Sequence, residues 1–172
     1  IGDWSSDVCS SDLIIQTEIN TLRKIGVKIL TKNDEIQVIG NNKIKSLNIT
    51  TAPYPGFPTD LQAQIMVLLC KANKRSVIKE DIFENRFMHV AELNRMGAKI
   101  LVKGNKAYIE GNTKFNAAEL MATDLRASVS LILAALTSNG KSKINRIYHL
   151  DRGYENIEKK LRKLGAKIKR LN

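Results

Sequence analysis

Apolar residues recur at three- and four-residue spacing in three stretches of the chain, and each stretch ends within a similar phrase: RKIGVKIL, NRMGAKIL and RKLGAKIK. This spacing predicts amphipathic helices. The glycine of each phrase, Gly26, Gly97 or Gly165, is predicted to end its helix with a positive φ. Two short apolar stretches joined by a polar turn follow Gly26 and Gly97, which predicts a β-hairpin, and a single strand is predicted after Gly165. The chain therefore repeats one structural unit.

A second phrase occurs twice, 64 residues apart: PTDLQAQIMVLL, which starts at Pro58, and ATDLRASVSLIL, which starts at Ala122. Their apolar positions coincide, so both predict a helix, and Asp60 and Asp124 are predicted to cap these helices. A strand and then a polar loop follow each helix: strands 76–79 and 143–147, loops 83–87 and 149–153. The predicted unit is βαβαββ, and three such units packed around a common axis would form one α/β domain.

The composition is that of a soluble globular protein, with 43% hydrophobic and 26% charged residues among 172. No apolar run approaches the roughly 20 residues that cross a bilayer, and no basic-then-apolar leader is present, so a cytoplasmic location without membrane contact is expected. The net charge of +11 raises nucleic-acid binding as a class. Many of the cations lie in helix-end phrases, however, and no RNP-like or Cys/His pattern accompanies them, so no nucleic-acid partner is expected.

The first thirteen residues, 1–13, show no helical or strand periodicity and differ in composition from the rest, so they are interpreted as a non-native, adapter- or vector-like tail. The two cysteines, Cys9 and Cys70, form neither a disulfide framework nor a metal cluster. Cys70 ends an apolar run and is predicted to be a buried, inert thiol. His89 and His149 have no partner at metal or triad spacing and are predicted to be structural.

Six charged residues fall on the loops and first helical turns that the repeat brings to one end of the domain: Asp60, Glu84, Arg86, Asp124, Arg126 and Arg152. Arginines and a carboxylate beside helix N-termini suit an anionic substrate, with the carboxylate free to accept a proton. Taken singly, the aspartates are explained as helix caps and the arginines as structural or solvated residues. The pattern alone therefore predicts an anion-binding α/β domain.

Four segments carry a resemblance to a known family: TAPYPGFPTDLQ (51–62), FENRFMHV (83–90), MATDLRAS (121–128) and IYHLDRGYE (147–155). In these the chain resembles the UDP-N-acetylglucosamine 1-carboxyvinyltransferases, the enolpyruvyl transferases of peptidoglycan synthesis, whose repeat architecture EPSP synthases share. The resemblance implies an inside-out α/β barrel of βαβαββ units, in an enzyme of two similar domains with the active site between them. It implies that residues 14–172 form a partial C-terminal domain of about three units.

The resemblance also implies a reaction and residue roles. Enolpyruvyl would pass from phosphoenolpyruvate to the 3′-hydroxyl of UDP-N-acetylglucosamine, with release of phosphate through a tetrahedral intermediate and with no cofactor or metal. Asp60 matches the acid/base carboxylate, and the backbone of Ile82 matches a contact to the sugar nucleotide. Arg126 and Arg152 match phosphoenolpyruvate arginines, Asp124 and Arg86 match supporting cleft residues, and Glu84 is a weaker candidate.

Nothing in the sequence matches the N-terminal domain of that family, which carries a general-acid cysteine loop and one wall of the cleft. The expected partner of this chain is therefore that missing domain, and the chain alone is expected to be inactive. Two alternatives stay open at this point: a non-catalytic domain that binds a nucleotide sugar or nucleic acid, and a purely structural half-barrel.

Overall fold

The structure is a computed structural model that describes residues 15–32, 35–40 and 43–171; the predicted tail, residues 1–13, lies outside this part of the chain. Its elements in chain order are α1 (Gln16–Lys24), β1 (Lys28–Lys32), β2 (Glu35–Ile39), β3 (Asn48–Thr50), a 3₁₀ turn (Thr59–Leu61), α2 (Gln62–Cys70), β4 (Ser76–Lys79), α3 (His89–Arg95), β5 (Ile100–Lys103), β6 (Lys106–Ile109), β7 (Glu119–Met121), α4 (Leu125–Leu136), β8 (Lys143–Asn145), α5 (Tyr148–Asp151) and α6 (Ile157–Lys163).

The central repeat unit has the predicted βαβαββ order, from β3 to β6. Its four strands form one sheet in the order β3-β4-β6-β5. Strands β3 and β4 are parallel, with Ile49 opposite Ile78, because α2 provides the crossover between them. Strand β6 is antiparallel to β4 and to β5. The sequence therefore predicted the fold class and the unit correctly.

The flanking units are represented by parts of the same pattern. In the hairpin β1–β2, Ile29 lies opposite Val38, and the equivalent pair 71 residues later is Ile100 opposite Ile109 in β5–β6. The parallel pair β7–β8 likewise repeats β3–β4. Residues 33 and 34, in the predicted turn of the first hairpin, lie outside the described residues.

Two sequence predictions at the C-terminal side are wrong. The expected strand after Gly165 does not form, and residues 166–171 belong to no helix or strand. A strand needs a hydrogen-bonded neighbour, and no described strand pairs with residues 166–171. The strand predicted over 143–147 ends at Asn145, because Arg146 takes a left-handed conformation with φ of 59°.

Helices α2 and α4 pack against each other in the core, and their first turns lie side by side. Helix α2 is buried on most of its surface, and it packs against α4, β4 and β6. Helix α4 is shared between the main core and a smaller cluster around Val129, Ile132 and Leu150, against which α6 packs with Ile157 and Leu161. Among the described helices, none is long and apolar enough to cross a membrane.

Candidate active site

Asp60 is carried by a loop whose shape depends on one glycine. After β3 the chain turns back on itself, with the Ala52 amide donating to the Phe57 carbonyl over 3.0 Å and the Gly56 amide donating to the Pro53 carbonyl over 2.7 Å. A side chain at Gly56 would collide with the Cβ of Ala52, so the turn requires glycine. Phe57 anchors the loop in the core. The chain then enters the 3₁₀ turn Thr59–Leu61, which presents Asp60 to solvent.

Asp60 does not cap α2, contrary to the sequence prediction. The 3₁₀ turn comes between Pro58 and the helix, so α2 starts only at Gln62 and has no side-chain cap. The Asp60 carboxylate instead pairs with Arg126, whose Nε and Nη2 both contact Oδ1. The ion pair joins residues that are 66 positions apart, and it lies at the surface, with 66% of the Asp60 side chain exposed.

Asp124, at the equivalent place in the next unit, is the helix cap that the sequence predicted. Its backbone is extended, and Oδ1 accepts hydrogen bonds from the Arg126 amide over 2.9 Å and the Ala127 amide over 3.0 Å. These are the second and third amides of α4, which have no carbonyl partner within the helix. The cap fixes the turn from which the Arg126 side chain extends to Asp60.

A cavity of about 350 Å³ lies between the first turns of α2 and α4 and the loop before α3. Four of the predicted residues line it: Glu84, Arg86, Asp124 and Arg126. The guanidinium of Arg86 also stacks over the Phe83 ring at 4.3 Å. A larger surface depression of about 510 Å³ lies on β5 and contains none of the predicted residues. The smaller cavity is therefore the candidate site.

Three predicted residues do not line the cavity: Arg152, Ile82 and Asp60, which meets it only through its ion pair with Arg126. Arg152 is exposed at the end of α5, and the next residue, Gly153, is so close to Leu125 that an added Cβ would lie 2.8 Å from its Cδ2. Arg152 is thus held beside the first residue of α4. The Ile82 amide donates over 3.0 Å to Oε1 of Glu80, so that amide is already engaged within the protein.

Glu80 is a buried residue that sequence reasoning missed. It is 3% exposed, and its carboxylate accepts hydrogen bonds from two threonines and two backbone amides around the candidate site. One signal could have found it: Ser76 and Ile78 are the buried positions of β4, and Glu80, the first residue after the strand, continues the same alternation, so an acid there needs internal donors.

His89 is buried at the base of the site, and Cys70 is buried in the core. Burial is the main cause of the pKa shift of both side chains. The Nε2 atom of His89 lies 3.3 Å from Sδ of Met66, and burial lowers the pKa of His89 to about 4, against a smaller opposing effect of Asp124. Burial raises the pKa of the Cys70 thiol to about 12, so it stays protonated at neutral pH. The described residues contain no group of three or more acidic, histidine or cysteine side chains arranged to hold a metal ion.

One end of the βαβαββ domain thus brings together the Asp60–Arg126 ion pair and the Asp124 cap of the arginine's helix. The chain belongs to the EPSP synthase (3-phosphoshikimate 1-carboxyvinyltransferase) family, whose sequence model matches residues 9–161. Within it, the chain is 77% identical over 159 residues to the UDP-N-acetylglucosamine 1-carboxyvinyltransferase of Pelagibacter ubique, and 59% identical over 150 residues to that of Geotalea daltonii. These matches confirm the resemblance seen in the sequence.

The matches cover most of this chain but a minor part of each relative. The chain spans 38% of the length of the Pelagibacter ubique relative and 36% of the Geotalea daltonii one, while 92% and 87% of the chain is matched. Among solved structures, the enolpyruvyl transferase NikO from Streptomyces tendae superposes with a TM-score of 0.83 at 29% identity, over 90% of this chain and 36% of that one. EPSP synthase from Acinetobacter baumannii has a TM-score of 0.69 at 17% identity, over 91% of this chain and 37% of that one, and shares the fold.

Proposed function

We propose that this chain is a C-terminal part of a UDP-N-acetylglucosamine 1-carboxyvinyltransferase, a cytoplasmic enzyme of peptidoglycan synthesis. The reaction would transfer enolpyruvyl from phosphoenolpyruvate to the 3′-hydroxyl of UDP-N-acetylglucosamine and release phosphate. The observation that carries the proposal is the Asp60–Arg126 ion pair. It joins a carboxylate suited to take a hydroxyl proton to a guanidinium suited to hold an anion.

In the proposed mechanism, Asp60 accepts the proton of the 3′-hydroxyl as the hydroxyl oxygen adds to C2 of phosphoenolpyruvate, while the general acid expected on the missing N-terminal domain adds a proton to C3. The tetrahedral intermediate then loses phosphate from C2 and a proton from C3, which restores the carbon–carbon double bond. Arg126 and Arg152 supply fixed positive charge for the phosphate and carboxylate groups of phosphoenolpyruvate through both steps. The anion would replace Asp60 as a partner of Arg126, which would leave the Asp60 carboxylate available as a base.

The remaining predicted residues have supporting roles in this proposal. Asp124 holds the Arg126 backbone through the helix cap. Arg86, stacked on Phe83, adds positive charge at the cavity, and Glu84 is a weaker candidate at the same rim. The segment at Ile82 would contact the sugar nucleotide through its backbone, and the Ile82 carbonyl is the group left for this, because its amide is bonded to Glu80.

The chain supplies one wall of the proposed active site, and the missing N-terminal domain of the same enzyme would supply the other. We therefore expect no phosphate release from the purified chain with both substrates. Turnover that persisted after controls for contaminating full-length enzyme would contradict this expectation.

Binding distinguishes the proposed function from a non-catalytic anion-binding domain. In a titration of the chain with UDP-N-acetylglucosamine, we expect weak binding that Asp60→Ala reduces. Binding of DNA or RNA that falls steeply with salt, in the absence of sugar-nucleotide binding, would favour the alternative. The test includes this alternative because a net charge of +11 favours the binding of nucleic acid.

A further inference from the structure

Glu80 is a buried carboxylate that follows β4 directly and faces the interior. None of the ion pairs among the described residues includes it, and it is 3% exposed. A buried carboxylate without a cation must be stabilised by hydrogen-bond donors. The identity of those donors shows what Glu80 holds in place.

The four donors come from two segments of the chain. Thr51 and Thr59 belong to the segment between β3 and α2, and Ile82 and Phe83 belong to the segment after β4. Oε1 accepts from the Thr51 hydroxyl over 2.8 Å, from the Ile82 amide over 3.0 Å and from the Phe83 amide over 3.3 Å. Oε2 accepts from the Thr59 hydroxyl over 2.9 Å. The Thr51 hydroxyl in turn accepts from the Asp81 amide over 3.0 Å, so three consecutive amides are tied to this network.

Each segment leads directly into the candidate active site. Thr59 precedes Asp60 in the 3₁₀ turn and lines the cavity itself. Ile82 and Phe83 precede the cavity-lining residues Glu84 and Arg86. One carboxylate therefore bridges the turn that carries the proposed base and the loop that carries the proposed sugar-nucleotide contact.

We propose that Glu80 is a positioning residue that fixes the Asp60 turn relative to the Ile82–Phe83 segment, and so sets the distance between the base and the bound sugar nucleotide. The assignment of the ligand rests on the proposed function above. Glu80 touches no substrate in this account, because its side chain is buried and its oxygens are occupied by protein donors.

A matched control separates positioning from general stabilisation. Glu92 also joins distant segments, since its Oε2 accepts from the Met121 amide over 3.0 Å and from Arg95. It links α3 to β7, and it does not line the candidate cavity. Glu92→Ala therefore removes a comparable carboxylate-to-backbone link at another place in the domain.

The test compares the full chain with its Glu80→Ala, Glu80→Gln and Glu92→Ala variants, by amide hydrogen exchange and by titration with UDP-N-acetylglucosamine. We expect Glu80→Ala to speed exchange of the Ile82 and Phe83 amides and to weaken binding, each by about tenfold or more, because hydrogen bonds to a carboxylate are stronger than those between neutral groups and the loss of one changes an equilibrium by that order. Glu80→Gln should stay within about threefold of the wild type, since an amide oxygen can replace Oε1 and the Thr59 hydroxyl can accept from the new NH₂. Glu92→Ala should speed exchange at Met121 and leave binding unchanged.

Two results of this comparison count against the proposal. Wild-type exchange rates at Ile82 and Phe83 in Glu80→Ala would overturn it, and so would equal losses of binding in Glu80→Ala and Glu92→Ala. If the wild-type chain binds no UDP-N-acetylglucosamine, the binding expected from the proposed function fails, whereas the exchange rates still show whether Glu80 joins the two segments.

If Glu80→Ala does not fold, the Thr59→Val variant replaces it. Binding of UDP-N-acetylglucosamine should then weaken while the Ile82 and Phe83 amides stay protected, and wild-type binding would contradict the proposal.

Discussion

Asp60 and Asp124 occupy the same place in a repeated Thr-Asp-Leu phrase, but their side chains do different things. At Asp124 the backbone is extended, with φ of −155° and ψ of 175°, and the carboxylate reaches the amides of α4. At Asp60 the chain has already entered a 3₁₀ turn after Pro58, so the carboxylate points away from the helix start and meets Arg126. One repeat thus provides a helix cap and the other an exposed ion pair, which carries the base in the proposed function.

The two aspartates should differ in their effect on stability. Asp124→Ala leaves two backbone amides of α4 without a partner and should lower the free energy of unfolding by about 1 kcal/mol. Asp60→Ala removes only an exposed ion pair and should cost less than about 0.5 kcal/mol. Urea denaturation measures both, and an equal loss in the two variants would contradict the different roles assigned to them.

His89 should make the stability of the chain depend on pH. Its folded-state pKa is about 4, below the ordinary value of 6.5, so the unfolded chain binds a proton in that interval while the folded chain does not. The contribution of His89 therefore lowers the free energy of unfolding as the pH falls from about 6.5 to 4, by up to about 3 kcal/mol. In His89→Gln the loss of stability between pH 7 and pH 4.5 should be smaller than in the wild type. The same loss in both proteins would contradict the buried, neutral state of this histidine.

At the scale of elements, the three repeated glycines behave as their phrase predicted. Gly26, Gly97 and Gly165 have φ of 98°, 97° and 90°, and each follows the last turn of a helix. An L-residue in this region is strained. The glycines therefore end the helices and turn the chain into the next segment, and they belong to the scaffold rather than to the site.

Gly97→Ala tests this role. The variant should lose about 1 kcal/mol or more, because alanine is strained at φ of 97° and its Cβ would lie 3.1 Å from Nδ2 of Asn116. Gly40→Ala is the matched control, since nothing lies within 4 Å of a Cβ built there, and it should change stability by less than about 0.5 kcal/mol. Thermal or chemical denaturation of the two variants gives the comparison, and equal effects would contradict the account.

The elements also show why sequence patterns predicted the scaffold better than the site. Helix α2 and the hairpin β5–β6 follow from local periodicity and turn chemistry, which neighbouring residues determine. The Asp60–Arg126 pair and the Glu80 network join segments 66 and 29 residues apart, so tertiary packing creates them. The missing strand after Gly165 has the same cause, because strand formation depends on a partner that local sequence does not specify.

At the scale of the whole molecule, equivalent hairpins have different surroundings. Val38 in β2 is 60% exposed, and its counterpart in β6, Ile109, is fully buried. The difference arises because β4 pairs with β6 and α2 packs over it. Among the described residues, β2 pairs with β1 alone, and no helix packs over it as α2 packs over β6. The first hairpin thus presents an apolar face that is exposed among the described residues.

This asymmetry predicts different costs for equivalent truncations. Ile109→Ala should lower the free energy of unfolding by about 2–5 kcal/mol, as expected when a buried isoleucine leaves a cavity. Val38→Ala should cost less than about 0.5 kcal/mol in this chain, because the side chain is exposed. Chemical denaturation checks both values, and a loss at Val38 as large as that at Ile109 would show that the first hairpin is covered.

The most direct test of the proposed function places this chain in a complete enzyme. Residues 14–172 would replace the matching segment of the Pelagibacter ubique relative, and phosphate release would be measured with phosphoenolpyruvate and UDP-N-acetylglucosamine. We expect turnover that requires both substrates and that falls at least about 100-fold in kcat in the Asp60→Asn variant, because a general base contributes on this scale. A folded chimera without turnover, or one with unchanged kcat after Asp60→Asn, would contradict the account.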